Sequence, residues 1–154
     1  MDVNEFTIRT ERLKYRLYRM AFLYTGNESI SLDAVDETVF RGLKAFKKLR
    51  QPEYFETWMT RILINECKKE LRNRKRELPL DALPETAVEE FDSLPLKEAV
   101  LRLPCELKDV IILRFFADFT LAETAQSLEI PQGTVVTRQR RAIGLLKLEL
   151  AEEG

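Results

Sequence analysis

Apolar residues along the chain recur every three or four positions, the period of a helix face, and no stretch shows a convincing strand pattern. Between residues 10 and 24, Leu13, Leu17, Met20, Ala21 and Tyr24 make one stripe, and Gly26 suits the stop that follows. A second helix is predicted from about Ser31 to Leu49, with Ala34, Val35, Val39, Leu43 and Phe46 turned inward. Pro52 breaks the chain. A third helix, about Tyr54 to Arg74, carries Phe55, Trp58, Met59, Ile62, Leu63 and Leu71 and ends in the basic run Arg72-Asn73-Arg74-Lys75-Arg76.

A second group of helices begins near Pro95. One runs over about 96–103 and stops at Leu103-Pro104; the next covers about 105–117, with Val110, Ile111, Leu113 and Phe115 as a dense apolar core. Thr120-Leu121-Ala122-Glu123 is a capping-box pattern, in which Thr120 and Glu123 satisfy each other's end of a helix start. The short helix it opens reaches Leu128. A turn at 129–133 leads to a long helix from Thr134 to about Glu149, and Ala125 falls where a small residue lets the two helices approach. Short helix, tight turn, longer helix is the helix-turn-helix layout. A plain helical hairpin has the same layout, but from Ile130 to Leu148 the four charged residues, Arg138, Arg140, Arg141 and Lys147, are all basic.

Charge divides the chain. Of 154 residues, 25 are Lys or Arg and 26 Asp or Glu, for a net charge of −1. Residues 1–76 are nevertheless net basic, residues 95–154 are nearly balanced, and residues 77–94 carry acids and no base. That middle block holds Pro79 and Pro84 and no sustained helical period, so it reads as an acidic linker. The predicted fold is all-α: two small helical domains, residues 1–76 and 95–154, joined by residues 77–94.

Composition excludes a good deal of chemistry. Histidine is absent, which removes Ser-His-Asp triads, Cys-His dyads and His-ligated metals. The five glycines are scattered, so neither a P-loop nor a dinucleotide fingerprint exists. Neither Cys67 nor Cys105 belongs to a CxxC pair, and reduced thiols in a cytosolic chain are expected. Met1 to Glu5 has no apolar signal core, and no apolar run approaches the roughly 20 residues of a membrane span, so no membrane insertion is expected. No cofactor and no small-molecule substrate is expected.

Residues 109–146, from Asp109-Val-Ile-Ile-Leu-Arg-Phe-Phe through Thr120-Leu-Ala-Glu-Thr-Ala to Gly133-Thr-Val-Val-Thr-Arg-Gln-Arg-Arg-Ala, resemble the second domain of bacterial extracytoplasmic-function (ECF) sigma factors. Leu17-Tyr-Arg-Met-Ala21, Asp33-Ala-Val-Asp-Glu-Thr-Val-Phe-Arg41 and Phe55-Glu-Thr-Trp-Met-Thr-Arg-Ile-Leu-Ile-Asn65 resemble their first domain. Two signatures in the family order are far more specific than one helix-turn-helix. The chain departs from the family in places: Asp36 stands at a frequent glutamine, Pro131 at the usual serine before the recognition helix, Val136 at a common basic position and Gln139 at a common apolar one.

The resemblance implies a promoter-specificity subunit of RNA polymerase, not a catalyst, acting in the bacterial cytoplasm. It implies that the first domain docks on the polymerase clamp and opens the promoter near the start site. The second would read the upstream element and sit on the polymerase flap, and an anti-sigma factor is the expected inhibitor. For strand capture the candidates are Arg50, Tyr54, Trp58, Arg61, Asn65, Lys68, Lys69 and Arg72, since aromatic faces beside a cationic track suit single-stranded DNA. Phe55 and Trp58, three apart, fit core packing as well. The resemblance implies that Asn65 hydrogen-bonds an extruded base held by the loop 49–54. Asp36, Glu37 and Arg41 are candidates for the clamp contact, although a solvated charged face has the same pattern.

At 100° per residue, Val136, Thr137, Arg140, Arg141 and Gly144 share one face of the last helix, and Val135, Ala142, Leu145 and Leu146 the packing face. The first face is expected in the major groove. Arg138 lies at the border of the packing side and is expected to pair with an acid or a phosphate, and Thr120 to offer its hydroxyl and backbone N–H to a phosphate. Three other readings compete. A stand-alone helix-turn-helix regulator does not need the aromatic-basic segment 54–76. A carboxylate hydrolase would need an acid pair in an apolar pocket, and a helical adaptor would not need the recognition-helix charge.

Overall fold

A computed structural model describes the chain over residues 1–77 and 94–153, and every regular element among them is helical. The chain divides into two compact units, Met1–Thr86 and Ala87–Gly154. Apart from its end residues 77 and 94, the expected linker lies outside the described residues.

The first unit is a three-helix bundle of α1 (Val3–Thr25), α2 (Glu28–Ala45) and α3 (Phe55–Glu77), each packed on the other two. Short 3-10 turns, Phe46–Lys48 and Pro52–Tyr54, lie between α2 and α3. α1 starts well before residue 10. Asp2 caps it by accepting from the Glu5 N–H at 2.8 Å, and Phe6 and Thr10 extend the buried stripe back from Leu13. It stops where expected: Gly26 adopts φ 65, and its N–H bonds the Phe22 carbonyl. α2 is capped by Asn27, which accepts from Ile30 N–H at 2.8 Å, and ends at Ala45, so Phe46 reaches the core from the following turn.

Leu43, expected in the core, is 46% exposed, and Val39 is half-buried. The inward positions of α2 are Ala34, Val35, Thr38 and Gly42. Small residues are needed there because α3 comes close: a Cβ on Gly42 would lie 2.7 Å from the Met59 Sδ and 3.3 Å from Phe6 Cζ. The core behind this seam is Leu17, Met20, Phe22, Phe55, Met59 and Leu63. Cys67 is buried beneath it, and burial, aided by Glu66 and Glu70, pushes its thiol up to about 12.

The second unit contains α4 (Leu94–Arg102), α5 (Cys105–Ile111), α6 (Leu121–Leu128) and α7 (Gln132–Glu153), with α7 packed on the other three. Arg102 of α4 pairs with Glu149 of α7. α5 runs on into a π turn, Ile112–Phe116, whose wider spacing rotates Phe115 outward to 51% exposure, against the expectation that it joins the core. Phe119 is buried after the turn, beyond the helix the pattern predicted. Ala99, Val100, Leu107, Val110, Ile112, Leu113, Val135 and Ala142 form the core. Lys108 is also buried, and the loss of solvent pulls its amine below the ordinary value, opposed by Cys105 and Asp109.

The capping box forms: the Thr120 hydroxyl accepts from Glu123 N–H at 3.0 Å, and the Glu123 carboxylate accepts from Thr120 N–H at 2.9 Å. At the other end of α6, Glu129 takes a left-handed conformation (φ 57). Ile130 N–H bonds the Ala125 carbonyl at 3.1 Å and Glu129 N–H that of Gln126 at 3.3 Å, a Schellman closure without glycine. Ala125, expected at the close approach, is half-buried; Thr124 is the fully buried residue, its hydroxyl donating back to the Thr120 carbonyl at 2.8 Å. With no side chain to cap it, α7 opens on the Pro131 carbonyl, which accepts from Thr134 and Val135 N–H.

Candidate nucleic-acid and polymerase interfaces

Along α3, Trp58, Arg61, Asn65, Lys68, Lys69 and Arg72 fall within a sector of about 100°, opposite the buried Met59, Leu63 and Cys67. Tyr54, just before the helix, is exposed in line with them. Arg61, Asn65, Lys69 and Arg72 are exposed, and Trp58 and Lys68 are half-buried. Phe55 and Trp58 therefore part company: Phe55 belongs to the core, while Trp58 leans on it (ring centroids 6.2 Å apart) and keeps part of its face in solvent. No acidic side chain shares this sector, since Glu66 and Glu70 turn toward α2. Arg50 stands exposed in the preceding loop.

α2 presents a different surface. Asp36 is exposed, and Glu37 is half-buried. Arg41 is engaged within the unit: its Nε lies 2.5 Å from Glu66 Oε1 and 3.3 Å from Glu37 Oε1, balancing a carboxylate that is itself buried. Arg41 thus joins α2 to α3. Asp33, Asp36, Glu37, Glu66 and Glu70, with Lys69 and Asn73, line an open hollow of about 520 Å³ between these helices. Lys69 therefore borders acids as well as the cationic track. Sequence reasoning missed Leu32, Phe40 and Leu43. With Asp36 they follow a 4-4-3 spacing, so they make one exposed apolar face, and Lys44 caps the Phe40 ring at 4.2 Å. The signal was there: three apolar residues on α2 are out of phase with its core stripe.

On α7, Thr137, Arg140, Arg141 and Gly144 are exposed, Val136 is half-buried, and Val135, Ala142 and Leu146 pack inward. Leu145, assigned to the packing face, is 45% exposed. Neither Arg140 nor Arg141 forms an ion pair among the described residues, whereas Arg138 lies 3.7 Å from Glu106. Thr137 donates its hydroxyl to the Gly133 carbonyl at 3.1 Å. Thr120 has less to offer than expected, because its N–H is consumed by Glu123 and only its hydroxyl hydrogen is left over. A contact the sequence did not disclose fixes the helix-turn-helix to the π turn: Arg114 donates to the Gln139 side chain at 2.9 Å and to the Phe119 carbonyl at 2.6 Å.

The described residues thus form a helical bundle with a cationic, aromatic face and a helix-turn-helix unit whose exposed Arg140 and Arg141 form no ion pair among the described residues. Residues 10–77 match the family described as Sigma-70 region 2, and residues 99–148 match Sigma-70, region 4. The chain is 32% identical to RNA polymerase sigma factor SigV of Bacillus subtilis, over 91% of this chain and 87% of that one. It is 26% identical to the ECF RNA polymerase sigma factor SigW of the same organism, over 98% and 91%. The sigma factor RpoE from Bartonella quintana, solved with the anti-sigma factor NepR, has a similar fold: TM-score 0.81 at 21% identity, covering 97% of this chain and 98% of that one. CnrH, solved with the cytosolic domain of CnrY, gives 0.75 at 20% identity, covering 99% and 92%. The chain belongs to the ECF sigma factors of bacterial RNA polymerase. It is an alternative sigma factor that directs transcription initiation, and a stand-alone helix-turn-helix regulator is not favoured. No helix among the described residues is long and apolar enough to cross a membrane.

Proposed function

We propose that the acid-free face of α3 captures the opened promoter strand. Arg61, Lys68, Lys69 and Arg72 neutralise phosphates along the strand, and Tyr54 and Trp58 supply stacking surface. Asn65, in the middle of the sector, reads an extruded base presented by the loop 49–54. The observation that carries this reading is the sector itself: aromatic, amide and cationic side chains aligned in solvent with no acid among them.

The same reading extends along the chain. The α2 face of Leu32, Asp36, Phe40 and Leu43 docks on the polymerase clamp, with Glu37 beside it and Arg41 holding the helix in place from behind. On α7, Arg140 and Arg141 take guanine edges or phosphates, Thr137 a base edge or methyl, and Val136 a thymine methyl. Arg138 and the Thr120 hydroxyl position the helix on the backbone without reading sequence. Functional domain borders at 1–76, 77–94 and 95–154 fit this division. The chain works in the bacterial cytoplasm, catalyses nothing itself, and is held in check by a separate anti-sigma factor, a reading supported by the similar RpoE structure, which was solved with the anti-sigma factor NepR.

Asn65→Ala tests strand capture, because Asn65 is exposed and its loss opens no cavity. With core polymerase, the variant should lose about tenfold in open-complex formation on duplex promoters, the worth of one or two hydrogen bonds. On a template already mismatched across the start region it should stay within about twofold of the parent, since opening no longer has to be supplied. Equal loss on both templates would contradict the assignment.

A further inference from the structure

One helix holds the loop between α2 and α3 from beneath. Phe6, in the first turns of α1, stacks on Phe46 with centroids 4.9 Å apart and 28° between planes, and meets Phe55 edge-on at 5.7 Å and 86°. These two rings are buried and mark the ends of the loop, while residues 50–54 between them are exposed. Arg9 lies one turn further along α1, half-buried, and donates from Nη1 to the Pro52 carbonyl oxygen at 2.9 Å. Its guanidinium also lies 5.3 Å from the Phe55 ring centroid. The Pro52 carbonyl accepts a second bond from the Phe55 N–H, where α3 begins. Among the described residues, Arg9 is the one side chain hydrogen-bonded to the backbone of residues 46–54. The loop's ends are thus fixed by aromatic packing; at its apex the Tyr54 N–H closes on the Gln51 carbonyl at 3.0 Å, and the charge-assisted bond from Arg9 ties the turn to α1 at the start of α3.

We propose that Arg9 is a positioning residue for promoter opening: through the Pro52 carbonyl it holds the loop 49–54 in the shape that receives the extruded base, without itself touching DNA. The inference rests on the strand-capture reading of that loop. A flexible loop must lose conformational freedom each time it closes on a base, and the Arg9 bond removes that freedom beforehand. The side chain is suited to the task. Its guanidinium lies over the Phe55 ring, which limits its own motion, and its charge strengthens a bond to a neutral carbonyl. Arg9 stands one position before the segment that matches Sigma-70 region 2, on the buried-stripe side of the same α1 helix.

The test compares Arg9→Ala, Arg9→Lys and Tyr54→Ala in holoenzyme assembled with core polymerase. Arg9→Ala should lower open-complex formation on duplex promoters about tenfold, as expected for one charged hydrogen bond, and should stay within about twofold on the pre-mismatched template. The slope of log affinity against log salt should not change, because no phosphate contact is lost. Arg9→Lys, which keeps a cationic donor, should recover part of the loss, and amide hydrogen exchange at 50–54 should quicken in Arg9→Ala. A salt slope reduced by about one counterion would place Arg9 on a phosphate and overturn the proposal. So would equal loss on both templates. If Tyr54→Ala is deficient on duplex DNA and Arg9→Ala is not, the positioning role falls and strand capture stands. If neither variant is deficient, the capture reading fails and this inference with it.

Discussion

Thr10 shows how a single side chain in the bundle trades against stability. It sits on the buried stripe of α1, 2% exposed, and its hydroxyl has no hydrogen-bond partner. A buried hydroxyl left unpaired costs its desolvation without return. Thr10→Val keeps the branched shape and removes that cost, so it should stabilise the unit by about 1 kcal/mol. For a domain of this size that is a rise in melting temperature of roughly 4–8 °C, read by circular dichroism. A lower melting temperature would mean that the hydroxyl is satisfied. The opposite case is Arg41. Its guanidinium balances the buried Glu66 carboxylate, so replacing it would leave that charge uncompensated and weaken the α2–α3 seam. A loss of polymerase binding in an Arg41 variant therefore reports on folding as much as on docking, and exposed Phe40 is the cleaner probe of the proposed clamp contact.

Among the elements, the recognition helix makes the sharpest division of labour. Arg141→Ala should cost roughly 1–3 kcal/mol on the preferred upstream sequence and flatten discrimination at one or two base positions. Arg138→Ala should weaken all sequences about equally, because Arg138 leans toward Glu106 at 3.7 Å, away from Arg140 and Arg141, and in the proposed reading it meets a phosphate and no base. A promoter-variant library transcribed by each mutant decides: if Arg138 changes the preferred sequence and Arg141 does not, the face is rotated from its assignment. The elements also mark how far the amino-acid pattern could be read. Local grammar was legible, because its causes are local: the Gly26 stop, the Thr120–Glu123 box, and the turn between α6 and α7 each need only a few adjacent residues. Phase was harder. α2 carries two apolar stripes, and which one faces inward depends on Met59 and Phe6 closing on Gly42, contacts made across the bundle. Phe115 was misplaced because a π turn shifts the register by one residue, which a fixed 100° step cannot anticipate. For the candidate site, the sequence disclosed which cations and aromatics share α3. It could not disclose that Arg41 is already committed, or that Arg9 reaches a carbonyl 43 residues away.

At the scale of the whole molecule, two DNA-handling units are joined by a segment whose chemistry is unlike either. Residues 77–94 hold Glu77, Asp81, Glu85, Glu89, Glu90 and Asp92 and no Lys or Arg. A segment whose charged residues are all acidic carries the sign of charge that a nucleic-acid strand does, and a channel built to attract such a strand attracts it too. The segment should therefore occupy a basic channel of the polymerase that nucleic acid otherwise uses. Replacing the six acids with Ser and Gln should leave core binding within about twofold, because the α2 face is untouched, while initiation falls several-fold and the loss deepens as salt is lowered and the missing attraction counts for more. The measurement is abortive and full-length RNA synthesis by the reconstituted holoenzyme, alongside a core-binding titration of the same variant. Unchanged initiation across the salt range would reduce the segment to a spacer. Parallel loss of core binding and initiation would assign the acids to docking instead.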